Sequence, residues 1–191
     1  MGNEDNGVGL GKFVLSHRCD EPGGPIVRTV RVGSYSFDML RMLWEKIQEF
    51  DTLFDDFYEK DFSRFVDAFV KQDAAGNYVA TGLFWTVDDV GIFRLTEMMP
   101  LQSAHAHFLF WDKRFRGREG LIRASLKHAF DKYKFHRIKV EVPLYAQKTL
   151  VAVERIGFKK EGRMREVVKY KGDWFDANLY SILERDLEGR D

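Results

Sequence analysis

Apolar residues recur at three- and four-residue steps through the first third of the chain, which is the spacing of one helix face. Over residues 36–50 this stripe consists of Leu40, Leu43, Ile47 and Phe50. Over residues 51–71 it consists of Phe54, Phe57, Tyr58, Phe62, Phe65 and Phe69. We predict an amphipathic helix over 36–50 and a second helix, or a broken pair of helices, over 51–71. We expect the aromatic stripe to pack into the core rather than to bind a cofactor.

After a turn at residues 74–77 the pattern changes to the alternation that is typical of strands. Strands are predicted at Tyr78 to Val87, Gly91 to Met98, Ala104 to Trp111, Arg137 to Val142, Arg163 to Tyr170 and Trp174 to Leu183. In the third of these, one face carries His105, His107, Leu109 and Trp111, and the other carries Ala106, Phe108 and Phe110. Helical spacing returns after the turn at 114–120, with the stripe Ile122, Leu126, Ala129, Phe130 and Tyr133. A further helix is predicted over 147–156, where Gly157 suits a C-cap.

The predicted order is one strand, two helices, three strands, a helix, a strand, a helix and two strands. Helices between strands cover the faces of a mixed sheet, so the fold class is α/β or α+β. A chain of 191 residues is expected to form a single domain. We assign that domain to residues 13–191 and a Gly-rich, flexible leader to residues 1–12.

The charge balance and the cysteine content exclude several classes of partner. The 30 Lys and Arg residues equal the 30 Asp and Glu residues, so no global positive field favours nucleic acid, although a local basic patch remains open. Cys19 is the only cysteine, and no Cys/His spacing of a zinc site occurs, which predicts a reducing, cytoplasmic location without a metal. The apolar runs are much shorter than the ~20 residues that span a bilayer, so no membrane partner is expected.

Charged residues of opposite sign are concentrated in two regions. The acidic group is Asp51, Asp55, Asp56, Glu59, Asp61 and Asp67. The basic group is Lys113, Arg114, Arg116, Arg118, Arg123 and Lys127. If the two groups lie on opposite sides of a cleft, the acidic one would attract a cationic amine and the basic one an anionic cofactor. The alternative interpretation is that both groups are solvated faces of helices.

A basic turn connects a predicted strand to a predicted helix. Its sequence is Arg114-Phe115-Arg116-Gly117-Arg118-Glu119-Gly120. Backbone N–H groups in such a turn and at the helix N-terminus can converge on a phosphate, and the arginines add charge-assisted hydrogen bonds. The turn is therefore a candidate diphosphate site, and a solvated connection is the alternative.

Several motifs around this turn occur in one order and spacing. They are Phe110-Trp111-Asp112, Ala129-Phe130, His136-Arg137-Ile138, Glu154-Arg155-Ile156-Gly157-Phe158, Glu161-Gly162-Arg163-Met164-Arg165, Gly172-Asp173-Trp174-Phe175-Asp176 and Tyr180-Ser181-Ile182-Leu183. In this combination the chain from Phe108 onward resembles the GNAT superfamily of acyl-CoA-dependent N-acyltransferases, and within it the ribosomal-protein N-terminal acetyltransferases. The resemblance implies a mixed central sheet with helices on both faces. It also implies direct acetyl transfer from acetyl-CoA, as co-substrate, to an N-terminal, lysine or small-molecule amine.

The resemblance further implies a cofactor site around the basic turn. The family's loop has Arg or Gln, then Gly, then Gly or Ala, at the places of Arg114, Gly117 and Glu119, so Glu119 is a departure. Phe110 or Trp111 marks the strand edge whose backbone donor polarises the thioester carbonyl. The implied cofactor-binding set is Phe110, Trp111, Arg114, Arg116, Gly117, Arg118, Glu119 and Gly120.

Transfer to an amine needs a neutral nucleophile. Near pH 7, making a lysine neutral costs roughly 4–5 kcal/mol, whereas an α-amino group needs only about 1 kcal/mol, so a lysine acceptor requires a base. His107 is the predicted base because it lies on the strand that leads to the turn and has a suitable pKa range. Glu97 is the second candidate and His105 is an open alternative. A sheet histidine with local hydrogen bonds is the competing interpretation of His107.

Residues at the start of helix 147–156 are candidates for protonating the departing thiolate. Thr149 matches a Ser that has this role in the resembling branch, and Tyr145 is a second donor. Ala146 departs from the Asn that commonly anchors the pantetheine arm. A local backbone hydrogen bond for Thr149 and a surface position for Tyr145 are the alternatives.

Three functions follow from these features. The first is the acetyl-CoA-dependent N-acetyltransferase. The second, motivated by Glu119 and Ala146, is a catalytically inactive GNAT-fold component that binds or assembles in a viral or multi-protein particle. The third is a nucleic-acid-binding module that uses the basic turn, which the neutral net charge disfavours. A homodimer is compatible with each, and the sequence leaves the acceptor open.

Overall fold

The computed structural model describes residues 14–21, 24–32, 37–49, 61–76, 78–87, 91–111 and 118–187. In these ranges the strands are β1 Val14–Glu21, β2 Gly24–Val32, β3 Val70–Gln72, β4 Tyr78–Ala80, β5 Leu83–Val87, β6 Gly91–Met99, β7 Ser103–Phe110, β8 Arg137–Pro143, β9 Lys159–Tyr170 and β10 Asp173–Leu183. The helices are α1 Phe37–Gln48, α2 Phe62–Asp67, α3 Arg118–Tyr133, α4 Gln147–Ile156 and α5 Glu184–Leu187. From β6 to β10 the elements follow the predicted order.

Eight of the strands form one mixed sheet in the order β1-β2-β5-β6-β7-β8-β10-β9. Its neighbouring strands are antiparallel, except that β7 and β8 run parallel and are connected through α3. Strands β3 and β4 form a separate antiparallel pair. The described sheet therefore has a single parallel junction near its middle, which requires the helical crossover.

Each face of the sheet is covered by its own apolar core. On one face α3 and α4 pack against β6, β7 and β8. On the other face α1 and α2 pack through residues such as Leu43 and Phe65 against Leu109 of β7. Ala106 and Phe108 of β7 contact the first core, whereas Leu109 contacts the second, so successive β7 side chains lie on opposite faces of the sheet. This confirms the predicted alternation and the predicted mixed sheet with helices on both faces.

The first part of the chain differs from the prediction. Two antiparallel strands, β1 and β2, replace the single strand expected before α1. Asp61 caps α2 by accepting a hydrogen bond from the Ser63 N–H at 2.7 Å. However, Val70 and Lys71, which were expected to be helical, belong to β3, because their backbone pairs with that of β4. The proposed leader at 1–12 and the helical assignment of 51–60 lie outside the described residues.

The strand predicted over 78–87 is interrupted at Thr81 and Gly82. The Thr81 N–H and hydroxyl donate to the carbonyl oxygens of Phe69 and Ala68, at 2.9 and 2.7 Å, which takes this residue out of the ladder. A Cβ on Gly82 would lie 2.1 Å from the carbonyl oxygen of Leu95. The chain therefore passes too close to β6 at this point for any side chain.

Replacing Gly82 by alanine should destabilise the fold, because the new methyl group collides with backbone rather than with a flexible side chain. We expect a loss of about 1–3 kcal/mol and a fall in Tm of several degrees. The matched control is Gly162→Ala in β9, where a Cβ meets nothing within 4 Å. Thermal unfolding of both variants checks this, and equal Tm values would contradict the close approach at Gly82.

Candidate functional site

The parallel junction between β7 and β8 opens after only three residue pairs. Ser103, Ala104 and His105 pair with Arg137, Ile138 and Lys139. Beyond this point β7 continues beside β6, and β8 continues beside β10, without further pairs between them. A cavity of about 370 Å³ lies there, between the two strands and the start of α4. We call it the strand cleft; its lining includes Ala106, Phe108, Val142, Tyr145, Ala146 and Thr149.

A second cavity, of about 780 Å³, lies on the sheet face that α2 covers. We call it the helix-side cavity; its lining includes Asp67, Lys71, Thr81, Thr96 and Glu97. Arg94, His105 and His107 line both cavities. These residues therefore stand where a molecule in the cleft and a molecule in the cavity would meet.

His107 lies on β7 with part of its surface exposed. Its Nε2 is 2.8 Å from the Thr96 hydroxyl oxygen, a hydrogen bond that fixes the ring. In the tautomer that donates from Nε2, Nδ1 carries the free lone pair. Desolvation of the ring, followed by the positive charges of His105 and Arg94, lowers its pKa to about 3. His107 is therefore neutral near pH 7, but a pKa of about 3 makes it a weaker base than the ordinary histidine range expected from the sequence.

His105, Glu97 and Lys139 form a polar group beside His107. The His105 ring is buried, its centroid is 4.3 Å from that of His107, and its Nδ1 is 3.6 Å from the Glu97 carboxylate. Burial lowers the pKa of His105, although the Glu141 and Glu97 carboxylates oppose that shift. Lys139 Nζ lies 2.7 Å from Glu97, and its hydrogen bond lowers the pKa of that carboxyl. Glu97 is therefore an ionised partner of Lys139 near neutral pH.

The low pKa of His107 predicts that its ring does not titrate in the ordinary histidine range. In an NMR titration its Cε1–H resonance should stay constant from about pH 8 to about pH 5, because the pKa is about 3. The unfolded chain takes up this proton near pH 6.5, so the folded state should lose stability as the pH falls from about 6.5 toward 3. His107→Gln should reduce that loss. A titration midpoint near 6.5 would contradict this environment.

The first turn of α3 carries the described part of the predicted diphosphate site. Arg118 lies with its guanidinium carbon 5.9 Å from the Phe110 ring centroid. Glu119, the departure from the family loop, lies 3.7 Å from Arg155 of α4, so an arginine partly neutralises it. Gly120 follows in the same turn. Trp111 is buried in the core under α1 and α2. Arg114, Arg116 and Gly117 lie outside the described residues.

The start of α4 brings the predicted thiolate donors to the strand cleft. Thr149 is exposed in the first turn and lines the cleft. Tyr145 also lines it, with its ring stacked on Tyr170 at 4.3 Å between centroids and against Phe175 at 5.2 Å. Ala146 occupies the N-cap position of α4 and offers no side-chain hydrogen bond there.

Arg94 lines both cavities, and the sequence analysis did not identify it as a site residue. It stands in the strand segment 91–95, where every residue is buried, so it is an arginine surrounded by core positions. An arginine inside an apolar strand was the available signal, because charged residues are rarely buried without a partner. The pattern alone could not show which cavity the side chain reaches.

The described residues show neither a membrane span nor a metal site. Among them, no helix is long and apolar enough to cross a bilayer. In the same ranges, no group of three or more His, Cys, Asp or Glu side chains could hold a metal ion.

Comparison with known protein families and sequences gives consistent matches. Residues 86–179 match the family described as the acetyltransferase (GNAT) domain. The probable N-acetyltransferase YjcK of Bacillus subtilis (strain 168) is 32% identical over 114 residues, which cover 56% of this chain. The alignment spans 62% of YjcK, less than two thirds of its length.

Solved structures share the fold. A chimera of spermidine N-acetyltransferase SpeG from Vibrio cholerae and hSSAT superposes with a TM-score of 0.67 at 19% identity, covering 84% of this chain and 99% of its own. The Vibrio cholerae spermidine N-acetyltransferase in complex with CoA and spermine gives a TM-score of 0.67 at 18% identity, covering 83% and 97%. At these identities the likeness establishes the fold.

Proposed function

The chain belongs to the GNAT acetyltransferase family, and on that premise we propose that it transfers an acetyl group from acetyl-CoA directly to an amine. The observation that carries the proposal is the meeting of two cavities at His107. One cavity suits the thioester arm of the donor, and the other suits the acceptor. Both substrates are then bound together, and no acyl-enzyme is needed.

The donor is proposed to enter through the strand cleft. Beyond His105 the edge of β7 has no paired β8 strand, and the thioester carbonyl is proposed to lie along this edge, toward Phe110 and Trp111, where backbone dipoles would stabilise it. The diphosphate is placed at the start of α3, where the helix dipole favours negative charge. The pairing of Glu119 with Arg155 reduces the repulsion that this carboxylate would exert on the cofactor.

The acceptor is proposed to reach the thioester from the helix-side cavity. Its nitrogen forms the new bond to the carbonyl carbon, and the bond from that carbon to sulfur breaks. The free ring nitrogen of His107 takes the proton that the amine loses. Thr149 or Tyr145 gives a proton to the thiolate. Glu97, bound to Lys139, contributes negative charge that attracts the ammonium form of the acceptor.

Turnover with a panel of amines tests this proposal. Acetyl-CoA should yield free CoA and an N-acetylated amine in equal amounts, and mass spectrometry of the intact protein should find no acetyl group on the chain. A folded protein that binds acetyl-CoA but acetylates no amine would overturn the enzyme and favour the inactive GNAT-fold component. An acetylated chain that passes its acetyl group to the amine would overturn direct transfer.

A further inference from the structure

A buried arginine has no assigned role in the proposed transfer. Arg94 of β6 is nine-tenths buried. Its Nη2 donates to the Ala68 carbonyl oxygen and, at 2.9 Å, to the Thr81 hydroxyl. Its guanidinium carbon lies 4.3 Å from the centroid of the Phe69 ring. These contacts hold the guanidinium in place and leave part of it facing the cavities.

The charge of Arg94 has no anionic partner among the described residues. Its Nε is buried without a hydrogen-bond partner. Glu97 lines the same cavity but pairs with His105 and Lys139 instead. A buried guanidinium without a carboxylate is costly, and buried charges are normally paired. The missing partner is therefore expected to come from a ligand.

The position of Arg94 places such a ligand next to the reacting groups. Arg94 is the cross-strand partner of His107 in the β6–β7 pairing and lines the same cavities. The helix-side cavity also carries the carboxylates of Asp67 and Glu97. Arg64 and Lys71 line it as well. The cavity thus offers charges of both signs, and Arg94 is its buried cation.

We propose that Arg94 binds a carboxylate of the acceptor, which is then a small zwitterion of the amino-acid type. This rests on the proposed function, since it names the substrate class of that same site. Because Nη2 already donates to Ala68 and Thr81, the carboxylate accepts charge-assisted hydrogen bonds from the other guanidinium nitrogens, Nε or Nη1. A dianionic phosphate fits less well, because the cavity is not uniformly positive: Asp67 and Glu97 line it together with Arg64 and Lys71. A simple alkylamine or a polyamine leaves Arg94 without its partner.

Occupation of this subsite also affects His107. The positive charge of Arg94 is one cause of the low pKa of His107. A carboxylate bound to Arg94 offsets that charge and raises the pKa of His107, while desolvation, the largest cause of the low pKa, remains. The base then becomes stronger when the correct acceptor is bound.

NMR spectroscopy of the full chain with bound CoA tests binding. The signal to follow is the Nε–H resonance of Arg94, which is assigned by its absence from the spectrum of Arg94→Lys. The probes are glycine, β-alanine and 4-aminobutanoate, and their controls are methylamine, ethylamine and propylamine, which lack only the carboxylate. At least one amino acid should shift the resonance, and its matched amine should not. No shift with any of the amino acids would overturn the inference.

Turnover is tested with the same pairs. The preferred amino acid should exceed its matched amine in kcat/KM by about 10- to 100-fold. Arg94→Gln should reduce this ratio to about one, Arg94→Lys should keep part of it, and Arg185→Gln, an exposed arginine of α5, should keep all of it. Equal kcat/KM values in the wild-type chain would overturn the inference even if the Arg94 variants fail to fold.

The two proposals can fail separately. A resonance shift without acetylation of any amine supports the carboxylate subsite and overturns the acetyl transfer. Acetylation of alkylamines as fast as amino acids, without a shift, supports the transfer and overturns the subsite.

Discussion

Replacing His107 by alanine is expected to lower kcat by about 10²–10⁴-fold, the range for loss of a general base. The acceptor then loses the ring nitrogen of His107, the proposed proton acceptor at the junction of the two cavities. The KM for acetyl-CoA should change little, because the cofactor is held mainly by the strand cleft and α3. Steady-state kinetics with a saturating amine measures both constants.

The matched control is His136→Ala, since this exposed histidine lines neither cavity. Thr96→Val provides a second comparison, because it removes the hydroxyl that lies 2.8 Å from His107 Nε2. It should lower kcat less than the alanine variant, since the ring remains but is less well oriented. Unchanged kcat in His107→Ala would remove His107 from the mechanism and leave Glu97 and His105 as candidates.

A bulky side chain in the strand cleft should abolish cofactor binding. Thr149→Trp places an indole in the cleft from an exposed position, so the fold should tolerate it. For the wild-type chain, acetyl-CoA at about 100 times its Kd should add about 2.7 kcal/mol of stability. The variant should show no such increase, because the thioester arm cannot enter.

Lys148→Trp is the control for this substitution. Lys148 is also exposed and stands one residue earlier in the same helical turn, but it does not line the cleft. It should keep the full rise in Tm with acetyl-CoA. Equal stabilisation of both variants would show that the cofactor binds elsewhere.

The sequence was sufficient to predict elements whose boundaries carry local signals. The helix predicted over 147–156 is α4 with those bounds, and Gly157 ends it with a φ of 120°. The alternation over Arg137 to Val142 corresponds to β8, in which alternate residues are buried. The turn between β9 and β10 uses positive φ at Lys171 and Gly172, as a two-residue hairpin requires.

The elements that the sequence did not reveal depend on distant partners. Strand β3 forms because β4 pairs with it, although the helix predicted over 51–71 included its first two residues. The predicted strand over 78–87 is interrupted at Gly82 because β6 approaches closely there. The local sequence pattern carries no information about that approach. Tertiary contacts decided these segments, and local propensity was the weaker influence.

For the candidate site, the sequence identified residues but not their grouping. Alternation along β7 placed His105 and His107 on one face, and the structure adds Glu97 and Thr96 beside them through the β6–β7 register. The partner of Glu119 was not predictable, because Arg155 reaches it from another helix. Arg94 could not be identified as a site residue from the sequence, because only the fold shows that its buried charge lies between two cavities.

The proposed transfer requires that the opening between β7 and β8 holds the donor beside His107. A crystal structure of the chain with CoA would show where the donor binds. We expect the pantetheine arm in the strand cleft, the sulfur between Thr149 and the junction at His107, and the diphosphate at the first turn of α3. CoA bound outside this cleft, or a sulfur directed away from the helix-side cavity, would contradict it.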